Sequence, residues 1–123
     1  FDCRILPCYR LDQVLAQIDK VCHEVEKEYG VKISYETPQK SESPATPVSA
    51  PVAQKLAAAL KVAHGIDAEF IGIGGGTVGA ELRREGFDAV VWSTLDNMCH
   101  QPNEYCVIDN LIKDAITLIE FFK

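Results

Sequence analysis

One stretch near the middle, "PQKSESPATPVSAP" (residues 38–51), most constrains what this chain of 123 residues can fold into. Its prolines fix φ and remove backbone donors, so neither a helix nor a sheet ladder runs through it. The small polar residues between them give it the character of a linker or a crossing between domains. A boundary near residues 38 to 46 follows, and the chain divides into parts at 1–40 and 41–123.

In the first part, Leu11, Val14, Leu15, Ile18, Val21, Cys22, Val25 and Tyr29 repeat at intervals of three and four, the spacing of an amphipathic helix. Gly30 supplies its stop. "FDCRIL" and "VKISYET" on either side are rich in β-branched and aromatic residues and predict strands, giving strand, helix, strand. The chain opens directly in "FDCRIL", without a methionine or a polar lead-in, which predicts a preceding segment.

In the second part, "PVAQKLAAALKVAHG" predicts a helix ending at Gly65, and "DAEFIGI" a strand. A glycine loop, a helix through "VGAELRREG", a strand "DAVVWS", an irregular polar stretch and a last helix from Val107 to Phe122 complete the order. Alternation of this kind predicts an α/β fold with a parallel or mixed sheet covered on both faces. In such sheets the loops leaving the carboxyl ends of strands form the ligand crevice, which would bring residues 72–77 and 93–104 together.

The net charge of −6, from 18 acids and 12 bases spread along the chain, offers no basic patch, so neither nucleic acid nor an anionic membrane surface is an expected partner. No apolar run approaches the roughly 20 residues that cross a bilayer, and no signal-peptide pattern opens the chain. The expected location is the cytoplasm. Five cysteines without C-x-x-C spacing fit reduced thiols better than a disulfide framework. A zinc site of Cys99, His100 and Cys106 is a rival reading whose spacing matches no common module.

The glycine loop "GIGGGTVG" sits between a predicted strand and a predicted helix, where glycines let the backbone approach an anion and the helix N-terminus favours negative charge. A phosphate or a carboxylate is the ligand this suggests. Gly74, Gly76 and Gly79 formally satisfy G-x-G-x-x-G, with Asp96 near the position of a ribose-binding acid, so a dinucleotide-binding α/β module is one alternative. A tight turn with close helix packing and no ligand is another. No Lys-Ser or Lys-Thr follows the glycines, which excludes a Walker loop. Further along, His100 lies in "STLDNMCHQPNEYCVIDN", among Asp96, Asn97, Asn103 and Glu104. An imidazole there is either solvated or a metal ligand whose second nitrogen is oriented by a neighbour.

Taken together, "GGGT", "DAVVW" and "DNMCHQPNEY" leading into a helix with "IDN" resemble the C-terminal end of the two-zinc deacylases and exopeptidases. That family includes succinyl-diaminopimelate desuccinylase, acetylornithine deacetylase and the glutamate-releasing carboxypeptidases. "FDCRILP" and the helix after it look like the second half of the family's lid or dimerisation domain. The resemblance implies the C-terminal part of a three-layer α/β/α catalytic domain, preceded by a β-α-β piece of an α+β ferredoxin-like lid domain. It implies hydrolysis of the amide bond of an N-acyl amino acid or small peptide, with two divalent ions, zinc in the first place and cobalt or manganese as alternatives, activating water and polarising the carbonyl.

By the same resemblance, His100 matches the last metal ligand, and Gly75, Gly76 and Thr77 match the loop whose backbone receives the substrate carboxylate. Asp96 stands where a polar residue, often asparagine, lines that pocket, and Glu104 matches a supporting position beside the metal. The family's H-x-D and Glu-Glu motifs do not occur here. The chain alone is therefore expected to be inactive and to need an N-terminal part of the same protein, with a homodimer forming through the lid domain.

Overall fold

The computed structural model describes residues 1–42, 44–73 and 76–123. Proximity along the backbone gathers them into two compact bodies, one of Phe1–Ala45 with Gly72–Gly76 and the other of Thr46–Ile71 with Thr77–Lys123. The helices are α1 (Leu11–Tyr29), α2 (Pro51–His64), α3 (Val78–Arg84) and α4 (Ile108–Phe121). Gly30 at φ 65° and Gly65 at φ 69° end α1 and α2 in the left-handed conformation that glycine adopts without cost. Pro51 opens α2, where its missing N–H is of no consequence.

The expected α/β architecture, with a three-layer α/β/α portion and a β-α-β lid piece, is corrected by this structure. The described residues hold four helices and no strand. Runs such as "VKISYET" and "DAVVWS" have strand composition, but a strand exists only as one partner of a ladder. Here side chains take the ladder's place. The Ile33 N–H donates to the Glu26 carboxylate (2.7 Å), the Ala89 N–H to the Thr46 hydroxyl (2.9 Å) and the Thr94 N–H to Asp114 (3.1 Å).

In the first body, Leu11, Val14, Leu15, Ile18, Cys22 and Val25 of α1 are half-buried, so most of the predicted stripe is partly covered, whereas its other two members, Val21 and Tyr29, are exposed. The segment after α1 returns to it through the Tyr35 hydroxyl, which donates to the Asp19 carboxylate. Gly72 lies over the Leu6 and Pro7 side chains, where an added Cβ would sit in ordinary contact at 3.9 and 3.8 Å.

The second body is built on α2 and α4, which pack against each other. The buried apolar residues described anywhere in the chain are Ala50, Ala53, Ala59, Leu60 and Ala89, of which only Leu60 is larger than alanine. Thr117 of α4 is fully buried, its hydroxyl bonded to the Lys113 carbonyl (3.1 Å) and to His64 of α2 (2.9 Å). The Lys55 ammonium of α2 stands 5.5 Å from the centre of the Phe121 ring.

This packing places α4 with its apolar stripe outward. Ile108 and Thr117 are nine residues apart, about half a turn out of phase at 3.6 residues per turn. Thr117 faces α2, whereas Ile108, Leu111, Ile112 and Ile119 are 72%, 61%, 52% and 60% exposed.

Thr46 sits at the head of the second body, within the proline-rich stretch. Its hydroxyl donates to the Ala89 carbonyl (2.6 Å) and accepts from the Ala89 N–H (2.9 Å), and Arg83 Nη1 donates to the same carbonyl (2.8 Å). One side chain thus satisfies both backbone groups of a buried residue forty-three positions away. Close by, a Cβ on Gly79 would lie 2.7 Å from Val91 Cγ2 and 3.2 Å from Arg83 Nη1. Only glycine lets α3 approach so near.

Candidate functional site

The segment 96–104 carries the candidate metal-binding chemistry, and its backbone is unusual. Asn97 (φ 50°), His100 (φ 63°) and Asn103 (φ 60°) are all left-handed, a region uncommon for residues other than glycine in which asparagine and histidine are both enriched. Local bonds hold this shape. The His100 N–H donates to Glu104 Oε2 (3.3 Å), the Gln101 side-chain amide to the Asn97 carbonyl (2.8 Å) and the Gln101 and Glu104 N–H groups to the Met98 and Gln101 carbonyls at 3.2 Å each. Glu104 thus supports His100 through the backbone.

The His100 side chain is exposed, and among the described residues no hydrogen bond engages either ring nitrogen. An exposed imidazole on a braced loop fits one position of a metal's coordination shell. The fit goes no further within this chain, because no group of three or more His, Cys, Asp or Glu that would hold a metal occurs among the described residues. Cys99 and Cys106 are exposed free thiols, as are Cys3 and Cys8, and Cys22 is half-buried.

Asp96 has a different engagement. Both its carboxylate oxygens accept from the Asn110 side-chain amide at 3.0 Å, which ties the start of the loop to α4. A second tie, the Thr94 N–H to Asp114, fixes the preceding residues to the same helix. The His100 loop therefore hangs from α4, through two carboxylate contacts with recognisable chemistry but no periodic signature in the sequence.

Of the glycine loop, Gly74 and Gly75 lie outside the described residues. Gly76 is exposed, with open space where a Cβ would be, and belongs to the first body. Thr77 belongs to the second, as the N-terminal flanking residue of α3, without a side-chain cap. With no sheet among the described residues, the strand-end geometry that predicted one crevice for both loops has no basis here. Gly79, the last glycine of the formal dinucleotide pattern, is accounted for by its approach to Val91.

Two shallow depressions in the first body lie beside Leu6 and Pro44 and beside Asp19 and Tyr35, and neither includes a candidate site residue. No helix among the described residues is long and apolar enough to cross a membrane.

Two relatives match along the whole of this chain. A protein of Methanocaldococcus jannaschii named as an uncharacterized metallohydrolase is 38% identical over 133 aligned residues, taking in 32% of its own length. One of Methanococcus maripaludis with the same description is 35% identical over 136, taking in 33%. The chain resembles one third of a metallohydrolase. No family model and no solved structure matches it.

Proposed function

We propose that the chain is the part of a metal-dependent hydrolase that supplies one metal-ligating histidine on a braced loop. The observation that carries this is the similarity, along the full chain, to two proteins named as metallohydrolases. Within that class, the finer reading is a deacylase or exopeptidase that cleaves the amide bond of an N-acyl amino acid or small peptide. Its support is the "DNMCHQPNEY" segment, in which the histidine stands four residues before a glutamate that holds its backbone.

In this reading His100 holds one ion through an imidazole nitrogen. A bound divalent metal supplies Lewis acidity toward a carbonyl and lowers the pKa of a coordinated water. Glu104 keeps the His100 backbone in its left-handed shape, and Asp96 and Asp114 fix the loop to α4, so that the imidazole is presented in a preset position. The remaining ligands come from the two thirds of the protein that this chain does not span. An imidazole suits zinc, cobalt or manganese, with zinc the first expectation.

The test uses the protein at the length of its relatives. Metal content is measured by elemental analysis, and hydrolysis of N-acetyl and N-succinyl amino acids and of dipeptides is followed before and after chelation. Bound divalent metal together with chelator-sensitive amide hydrolysis is the expected result. A metal-free protein that retains activity overturns the class, and metal-dependent hydrolysis confined to esters or phosphoesters overturns the finer reading.

A further inference from the structure

Among the described residues the apolar face of α4 is exposed, and surface area decides what kind of object covers it. The chain exposes 9911 Å². A compact protein of 13.6 kDa exposes roughly 6,600 Å², and even two separately compact bodies sharing that mass expose only about 7,900 Å². The surplus of about 2,000 Å² therefore does not depend on how the two bodies are disposed. A standard protein–protein interface buries about 800 Å² per partner, so a second copy docking in that way leaves more than half of the surplus uncovered. The deficit is on the scale of a missing share of a hydrophobic core.

A membrane surface is a poor occupant for the same face. Interfacial helices carry lysine and arginine on their polar side, and α4 has Lys113 against Asp109, Asp114 and Glu120. The matched relatives, in contrast, are three times the length of the aligned region. We propose that the Ile108, Leu111, Ile112 and Ile119 face of α4 is the seat of an apolar surface on the other two thirds of such a metallohydrolase. This rests on reading the chain as one third of that enzyme. Because the His100 loop hangs from the same helix by Asn110–Asp96 and Asp114–Thr94, docking α4 also sets where the imidazole is delivered.

The experiment reads packing and not activity, so its failure is distinct from failure of the hydrolase reading. The protein at the length of its relatives is studied without added metal by light scattering and by hydrogen exchange at the amides of 108–122, beside the chain of 123 residues alone. A monomer whose 108–122 amides exchange at least tenfold more slowly than those of the chain alone is expected. Ile112→Glu and Ile119→Glu should each remove that protection, and Lys113→Gln should leave it intact. A dimer whose 108–122 amides lose protection on dilution to monomer assigns the face to a second copy and overturns the proposal. Exchange at these amides that is no slower in the longer protein than in the chain alone overturns it as well.

Discussion

Nε2 of His64, in the last turn of α2, lies 2.9 Å from the buried hydroxyl of Thr117 and 3.1 Å from the Lys113 carbonyl on α4. Polar chemistry thus joins a helix pair whose buried apolar residues are only Ala53, Ala59 and Leu60. When either side chain is removed the other keeps its bond to the Lys113 carbonyl, so no buried group is left unsatisfied and each loss is that of an ordinary hydrogen bond. His64→Ala and Thr117→Val are therefore each expected to destabilise the second body by about 1 kcal/mol, and the double variant, which strands the carbonyl, by more than their sum. Urea unfolding monitored by circular dichroism checks all three, and an additive double variant would contradict the assignment.

Thr46 holds both backbone groups of Ala89. Thr46→Ser retains the hydroxyl and should unfold close to the parent, whereas Thr46→Val, similar in shape, should lose about 2 kcal/mol. Hydrogen exchange at the Ala89 amide gives a local readout: accelerated exchange is expected in Thr46→Val only.

Gly79→Ala sets two effects against each other. Alanine gains about 1 kcal/mol of helix propensity over glycine, but its Cβ meets Val91 Cγ2 at 2.7 Å, and such overpacking costs about 1–3 kcal/mol. The contact is with a β-branched side chain that has little rotamer freedom, so net destabilisation is expected. Adding Val91→Ala should recover part of it in a double-mutant cycle, and additive losses would show that the two positions do not share space.

Tyr35 titrates above the ordinary tyrosine range, because its hydroxyl donates to Asp19 and ionisation would place two negative charges together. A folded-state value raised above the unfolded one means that this bond's contribution is present below the usual tyrosine pKa and lost as pH rises through the raised value. Ultraviolet titration of the tyrosines should show one late group that returns toward the others in Asp19→Asn.

His100→Gly separates function from folding. Glycine adopts a φ of 63° without the penalty of about 1 kcal/mol that a side chain bears, so the variant should be at least as stable as the parent. In a protein of the relatives' length it should lose one metal position and most hydrolysis. Unchanged metal content and turnover would make the residue a solvated loop histidine.

The helices were legible because their signal is local. The spacing of Leu11 to Val25, Pro51 at a start, and Gly30 and Gly65 at stops each act within a few residues. Strand composition in residues 31–37 and 88–93 misled because pairing is a property of two segments, and here Glu26 and Thr46 answer the backbone instead. The polar residues around His100 leave a solvated and a metal-binding imidazole both open, and the resemblance favours the second. The bracing by Glu104 over four residues was within reach of sequence reasoning, whereas the Asn110–Asp96 and His64–Thr117 contacts depend on where α4 lies. Thr46 looked like a linker residue because nothing in its neighbourhood announces a partner at position 89.

The near contact of Gly79 with Val91 also bears on how such a sequence drifts over evolutionary time. The two positions draw on one small volume, and a methyl group gained on one side has to be given up on the other. Among descendants of this chain, a residue larger than glycine at 79 should therefore arise on backgrounds where 91 has already shrunk, so the order of the two changes is constrained by shared space alone.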